Sequence, residues 1–359
     1  MNKNIIVLAG DGIGKEVCQW GVNVLKAIAD KFGHNFTFED ALIGHSAIEA
    51  EGVPLTDETI ERCRKADAIL LGAVGHPMYD NDPSAKVRPE QGLLKIRKEL
   101  GLYTNIRPIK VFDELIGASS LKPEVLSGAD FLFYRELTSG IYFGTPRERF
   151  NNGQSARDTK VYHKYEVERI GRKAFEAART RRNILHSVDK ANVLESSRLW
   201  RETIQELAKE YPDVKVTHMF VDNAAMQLIR DPLQFDVVLT GNMFGDILSD
   251  EASQIAGSLG MLASAAVGDE VGMYEPIHGS APDIAGKNIA NPLATILSTA
   301  LMLDIAFGLK EEADAVINAV DELLKQGYRT GDIADKTTPK GKILGTKEIG
   351  EKLLKLIKN

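Results

Sequence analysis

Cysteine is almost absent from this chain of 359 residues: only Cys18 and Cys63 occur, with no CxxC pair. That excludes a zinc ribbon or a disulfide framework, and both thiols are expected to be buried in a reducing compartment. No apolar run approaches the ~18 residues of a membrane span. The opening Asn2-Lys3-Asn4, followed by Ile5 to Ala9 and Gly-Asp-Gly, is too short an apolar stretch for a signal peptide, so a cytoplasmic location is expected. The dinucleotide-binding fingerprint is also missing: Gly10 and Gly12 begin a GxGxxG, but Lys15 stands where its last glycine belongs. A phosphate-binding P-loop fails too, because Glu16 follows Lys15 and Asn288 follows Gly286-Lys287. There is no excess of positive charge. Net charge is −7, from 51 acidic against 44 basic residues, and the basic residues are dispersed, which argues against a nucleic-acid partner. No internal repeat or low-complexity tract is found.

What is present is ordinary globular composition, 43% hydrophobic and 26% charged, with 31 glycines that point to many tight strand-to-helix connections. The length suits two α/β domains. Ile5 to Leu8 reads as a buried strand, Gly10 to Gly14 as a turn, and Val17, Trp20, Val24, Leu25, Ile28 and Phe32 as one helix face. A second such unit starts a helix at Thr56 and ends on the strand Ala68 to Leu71, so a parallel sheet is expected. Tyr79 to Glu90 reads as a loop. From Tyr103 the pattern changes to extended runs, at Leu102–Pro108, Phe131–Arg135 and Ile141–Phe143. Further on, strands are expected at Ile184–Val188 and Val237–Thr240, with a helix near Leu194–Ala208. Helices over Asn291–Ala306, Ala313–Leu324 and Ile349–Ile357 have broad apolar faces that would return the chain to the first sheet.

Several groups of residues can do chemistry. Asp246 and Asp250 lie in NMFGDILSD, and on a helix they project from one face a turn apart. Like charges at that spacing repel, so either water screens them or a divalent cation lies between them. Arg97, Arg107 and Arg135 each adjoin an apolar or extended segment; their planar forks suit a substrate with two carboxylates, or serve surface ion pairs. Lys190 and Asn192 follow a buried strand, where open α/β sheets place ligand-binding residues, and Tyr142 lies in SGIYFG. A lysine and a tyrosine can divide proton transfers between them; a capped strand end and a packed ring are the plainer alternative. Asp222 supplies either a third metal oxygen or a helix N-cap. The stretch EPIHGSAPDIAGKNIANP, Glu275 to Pro292, is rich in glycine and proline and long enough to wrap a ligand. In it Asp283 can accept from a ribose diol and repel a 2′-phosphate, and His278 can cap an adenine or serve the structure alone.

Together, GDGIG, RPEQGLLKIRKELGLYTNIRP, RELTSGIYFG, VDKANVL, VDNAAMQLI, GNMFGDILSD and EPIHGSAPDIAGKNIANP resemble, in this order, the β-decarboxylating dehydrogenases of the isocitrate/isopropylmalate dehydrogenase family. The resemblance covers essentially the whole chain. It implies a two-lobed α/β sandwich with a largely parallel central sheet, distinct from a standard Rossmann fold, which agrees with the missing fingerprint. Residues 1–102 plus 257–359 would form a discontinuous cofactor-binding domain, residues 103–256 the dimerisation and metal domain, and the active site would lie in the cleft between them.

By the same resemblance, Arg97, Arg107 and Arg135 would hold the substrate carboxylates, with Asn192 and Asp222 as further contacts. Tyr142 and Lys190 would carry the acid-base steps. Asp222, Asp246 and Asp250 would ligate one Mg²⁺ or Mn²⁺ per active site. Glu275, His278, Gly279, Ser280, Ala281, Pro282, Asp283, Ile284 and Asn291 would bind NAD, since Asp283-Ile284 matches the NAD-using pattern. Lys190 and Asp222 would come from the partner subunit of a homodimer. Glu90, Leu93 and Leu94 match the isopropylmalate pattern, and the two leucines with Val193 offer an apolar wall for an isopropyl group. The implied reaction is oxidative decarboxylation of (2R,3S)-3-isopropylmalate to 2-oxo-4-methylpentanoate, a step of leucine biosynthesis. Alternatives are a tartrate- or D-malate-oxidising sister enzyme and a noncatalytic regulatory subunit. One departure from the family pattern is His76 in GAVGHP, a place often held by glycine.

Overall fold

The computed structural model describes residues 1–80 and 85–358. Residues 81–84, within the loop expected over 79–90, lie outside the described residues. Among the described residues, twelve strands follow in chain order: β1 (Asn2–Gly10), β2 (Asn35–Asp40), β3 (Ala68–Ala73), β4 (Thr104–Lys110), β5 (Asp130–Glu136), β6 (Glu148–Phe150), β7 (Ser155–Arg157), β8 (Ile184–Asp189), β9 (Lys215–Phe220), β10 (Val237–Thr240), β11 (Ala263–Val267) and β12 (Gly272–Pro276). The chain groups into two compact units.

The first unit comprises Met1–Leu102, Phe112–Ser120 and Ala256–Asn359. The segment 112–120 and Ala256 thus group with this unit, whereas the sequence boundaries place them in the second domain. Its strands run in the order β2-β1-β3-β12-β11, parallel except for the last pair. Ile5 to Leu8 and Ala68 to Leu71 are buried without alternation, the pattern of strands covered on both faces. The helix Gly14–Phe32 buries Val17, Val24, Leu25 and Ile28, each worth about 1.5–3 kcal/mol on removal from water. Thr56 caps the helix Asp57–Lys65 by accepting from Thr59 N–H, as its sequence position predicts. The expected helix over 291–306 is Leu293–Leu301 running into a π-helical turn at Met302–Ala306.

The second unit comprises Tyr103–Val111 and Leu121–Ile255. Its sheet order is β4-β5-β10-β8-β9, with only β4 antiparallel. β6 and β7 form a separate hairpin. The helices Lys164–Arg179 and Glu195–Leu207 bury Val167, Ile170, Phe175, Trp200 and Ile204. One expectation fails here: Ile141–Phe143 is a turn, not a strand. Gly140 adopts φ +78°, and its carbonyl accepts from Gly144 N–H at 3.0 Å, so the chain folds back before a strand can form. No described helix in either unit is long and apolar enough to cross a membrane.

Candidate active site

In the second unit, β10 ends at Thr240, directly paired with Arg135 of β5, and the chain turns at Gly241 into the helix Asn242–Ala256. That helix approaches β5 closely because residue 245 is glycine: a Cβ there would meet Arg135 Cγ at 2.7 Å. Leu248, Ala252 and Ile255 anchor the helix in the core, while Ile247 is exposed. Asp246 and Asp250 therefore share the face toward Arg107 and Arg135. Arg135 Nη1 donates to Asp246 Oδ1, and Arg107 Nη1 reaches Asp250 Oδ1 at 3.2 Å. Tyr142 donates its hydroxyl to Asp246 Oδ2 at 2.9 Å.

Both guanidinium groups are buried and held by neutral acceptors as well. Arg135 donates to Asn242 Oδ1 at 3.1 and 2.8 Å, and Arg107 donates to Asn105 Oδ1 at 2.5 Å and Ser249 Oγ at 2.6 Å. They are parts of a built site, not surface ion pairs. Burial raises the Asp246 carboxyl, but the charges of Arg135 and Arg107 outweigh it and the net displacement is downward. For Asp250, burial prevails: with Asp246 pushing up and Arg107 pulling down, the carboxyl titrates above its usual range. Burial and the Asp246 charge drive the Tyr142 hydroxyl up to about 12 against the two arginines. It therefore keeps its proton at neutral pH.

Lys190 follows β8 in a turn closed by Val193 and Leu194 N–H groups on its carbonyl. Its Nζ donates to Asp222 Oδ1 at 2.7 Å, and this bond is the main cause of the lowered Asp222 carboxyl. Asp222 lies in the first turn of the helix Val221–Arg230, whose cap position is Phe220, so the N-cap reading does not hold. Among the described residues, no three His, Cys, Asp or Glu side chains form a metal-holding group, so one chain does not unite Asp222 with Asp246 and Asp250. Asp246 and Asp250 do fit a hard cation: both offer carboxylate oxygens from one helix face. Asn192 and Val193 are exposed beside Lys190.

In the first unit, Arg97 on the helix Pro89–Glu99 donates through Nη2 to Glu275 Oε1 at 2.8 Å, both side chains being buried. Arg97 Nε is buried with no hydrogen-bond partner among the described residues, a donor left for a ligand anion. Leu93 and Leu94 are half-buried on the same helix, and Glu90 is exposed in its first turn. The 275–292 segment is fastened at Ser280, whose carbonyl accepts from Ile13 N–H at 2.8 Å. Gly12 permits that approach: it adopts φ +54°, and a Cβ there would lie 2.0 Å from Ser280 O. Ala281, Ile284 and Ala285 then pack on Ile13, Val17 and Ala290.

His278 Nδ1 lies 3.0 Å from Gly279 O, and burial lowers the ring's pKa, so it is a neutral imidazole donating from Nδ1. Its Nε2 is a buried acceptor without a partner among the described residues, fit for an adenine amino group. Gly279, Pro282 and Asp283 are exposed, which leaves the Asp283 carboxylate open to a ribose diol. Asn291 is buried, donating to Asp332 at 3.0 Å and accepting from Leu293 N–H. The residues present fit a dinucleotide of the NAD type.

Two contributors escaped the sequence reading. Asp11, inside the GDGIG turn, accepts from the N–H groups of His45, Ser46 and Gly75, each at 2.9 Å, so this turn ties three loops together. Asn242 links Arg135 to the carbonyl of Ser139, to which its Nδ2 donates at 3.1 Å. Both lie inside motifs, GDGIG and GNMFGDILSD, but a motif does not name its neighbours in space.

The isocitrate/isopropylmalate dehydrogenase family model matches residues 4–353. The chain belongs to this family. A 3-isopropylmalate dehydrogenase of Bacillus licheniformis is 58% identical over 338 residues, spanning 93% of this chain and 91% of the relative. One from Geobacillus kaustophilus is 57% identical over 355 residues, spanning 98% and 95%. Among solved structures, an isocitrate dehydrogenase from Methylococcus capsulatus matches with a TM-score of 0.87 and 33% identity, covering 99% of this chain and 100% of that one. The α/β fold with a largely parallel sheet is thus the family's fold.

Proposed function

We propose that the chain oxidises and decarboxylates (2R,3S)-3-isopropylmalate to 2-oxo-4-methylpentanoate, the leucine precursor, with NAD⁺ and a divalent cation. The observation that carries the chemistry is the Tyr142 hydroxyl on Asp246 between two buried arginines. It joins a proton donor, a charge-binding pair and oxygen ligands in one place.

Arg107 and Arg135 grip one substrate carboxylate, and the buried Arg97 is a further carboxylate-binding guanidinium. Lys190, as the neutral amine, takes the proton of the substrate hydroxyl, directly or through water, as the hydride leaves carbon 2. Asp246 and Asp250, with Asp222 of a second copy, would hold Mg²⁺ or Mn²⁺, which would supply Lewis acidity, and bound NAD⁺ would supply the hydride acceptor. Loss of CO₂ from the resulting β-keto acid leaves an enolate, and Tyr142 returns a proton to its carbon. Leu93 and Leu94 face the isopropyl group; its burial is worth about 1–3 kcal/mol, a tenfold or greater preference over smaller hydroxy acids.

Lys190 and Asp222 are supplied by a second copy. Their pairing with each other, apart from Asp246 and Asp250, supports this, as do exposed apolar side chains beside each: Val193, Met226 and Ile247. Each active site is then shared across a homodimer, and a monomer is inactive. Asp283 selects NAD⁺ by repelling a 2′-phosphate. The test is kcat/KM for isopropylmalate, D-malate and tartrate with NAD⁺, with and without a chelator. A preference for malate or tartrate would overturn the substrate; absence of any turnover would favour a noncatalytic subunit.

A further inference from the structure

Tyr142 stands on a tight turn, and the side chain that holds that turn is Glu136, which none of the acid-base chemistry above employs. Glu136 is the last residue of β5 and fully buried. Its Oε1 accepts from Thr138 N–H and Thr138 Oγ1, each at 2.9 Å, and its Oε2 accepts from Ser139 N–H at 2.9 Å. Ser139 is fixed from two further sides: its hydroxyl donates to Glu166, and its carbonyl accepts from Asn242 Nδ2. Thr138 Oγ1 in turn accepts from Arg169 Nη2 at 2.7 Å, and that guanidinium lies 4.3 Å over the Tyr103 ring. Gly140 then turns the chain, with its N–H on Val161 O at 3.0 Å, and Tyr142 follows.

We propose that Glu136 is a positioning residue for the reaction: it clamps Thr138 and Ser139 from within the core and so fixes the turn that presents the Tyr142 hydroxyl to Asp246. The inference rests on the acid role given above to Tyr142. A buried carboxylate is a costly clamp. Burial drives it up to about 7, opposed by the Thr138 and Ser139 bonds and by Arg169. Tyr162 and Tyr165 feel its charge as well, and their hydroxyls are raised in part by it. An apolar side chain would avoid that cost but leave Thr138 and Ser139 N–H groups without acceptors. Glutamine would keep one acceptor oxygen and present an amide to Ser139 N–H. The ionised carboxylate alone serves both oxygens as acceptors, so the clamp is complete above about 7 and weakens where the carboxyl takes up a proton.

The experiment is Glu136→Gln in the full-length enzyme, alone and combined with Tyr142→Phe. The expected result is a fall in kcat of about ten- to a hundredfold with KM for isopropylmalate within about threefold of the parent. In the Tyr142→Phe background the same change should lower kcat by less than about twofold, because the group it positions is already gone. Fluorotyrosine placed at 142 should show a shifted or broadened fluorine resonance in Glu136→Gln. Thr138→Val, which removes one donor to the clamp and little volume, should give a smaller loss of the same kind and serves if Glu136→Gln does not fold. Full additivity with Tyr142→Phe, a rise in KM at unchanged kcat, or an unmoved resonance would overturn the proposal. Absence of turnover by the unsubstituted enzyme would instead overturn the assigned reaction, and the fluorine resonance would still decide whether Glu136 holds Tyr142.

Discussion

Replacing Asp246 with asparagine should separate the chemistry of the site from the stability of the fold. The change keeps one acceptor oxygen and the volume of the side chain but removes the charge. Arg135 would still have Asn242, and Arg107 would still have Asn105, Ser249 and Asp250, so neither buried guanidinium is stranded. Stranding one would cost about 3–5 kcal/mol; with those partners intact and Asp246 itself 36% exposed, about 1–2 kcal/mol is expected. In melting temperature that is a fall of about 1–3 °C. Catalysis loses more: a carboxylate removed from the cation site and from Tyr142 should lower kcat/KM by at least about a hundredfold, close to 3 kcal/mol of transition-state stabilisation. The assay is NADH formation from isopropylmalate across a Mn²⁺ titration, beside a thermal melt. An unchanged Mn²⁺ requirement with a loss in kcat/KM under about fivefold would refute the reasoning, and so would a melting point too low for the variant to be folded in the assay.

Other consequences are as definite. Asp283→Lys should move the ratio of kcat/KM for NAD⁺ over NADP⁺ at least about tenfold toward NADP⁺, because a cation replaces the anion that repels the 2′-phosphate; a ratio unchanged on measuring both cofactors contradicts the role. Leu93→Ser with Leu94→Ser should lower kcat/KM for isopropylmalate relative to D-malate by about tenfold or more. Stability should depend on Glu136 in a stated direction. Its carboxyl is raised from 4.5 to about 7, so between those values the folded chain holds a proton that the unfolded chain has released. The contribution, on the order of 3 kcal/mol, is full below the unfolded value and lost as pH rises through about 7. Urea midpoints from mildly acidic to mildly alkaline pH should show that slope in the parent and lose it in Glu136→Gln.

Much of the fold was legible because its signals are local. The uninterrupted apolar runs at Ile5–Leu8 and Ala68–Leu71, the helical spacing from Val17 to Phe32 and the Thr56 cap all belong to single elements, and the structure has each of them. Ile141–Phe143 misled because two β-prone residues flank an aromatic one, while the deciding feature, Gly140 at φ +78°, lies just outside the run. Site residues were legible as types but not as partners. The helix spacing of Asp246 and Asp250 could be read directly; that Tyr142 and two arginines face them depends on β5 and β10 lying side by side. The Arg97–Glu275 pair joins residues 178 positions apart, and nothing in either motif names the other. Asp11 and Glu136 were missed for the same reason: each uses its carboxylate on backbone N–H groups, which have no side-chain signature.

The central claim is that one chain chemistry couples hydride removal to loss of CO₂ from isopropylmalate. The most direct measurement is the stoichiometry of NADH, CO₂ and 2-oxo-4-methylpentanoate formed by the enzyme with (2R,3S)-3-isopropylmalate, NAD⁺ and Mn²⁺. The account predicts equal amounts of the three, abolished by chelator and restored by added metal. NADH without CO₂, or turnover indifferent to chelator, would contradict it.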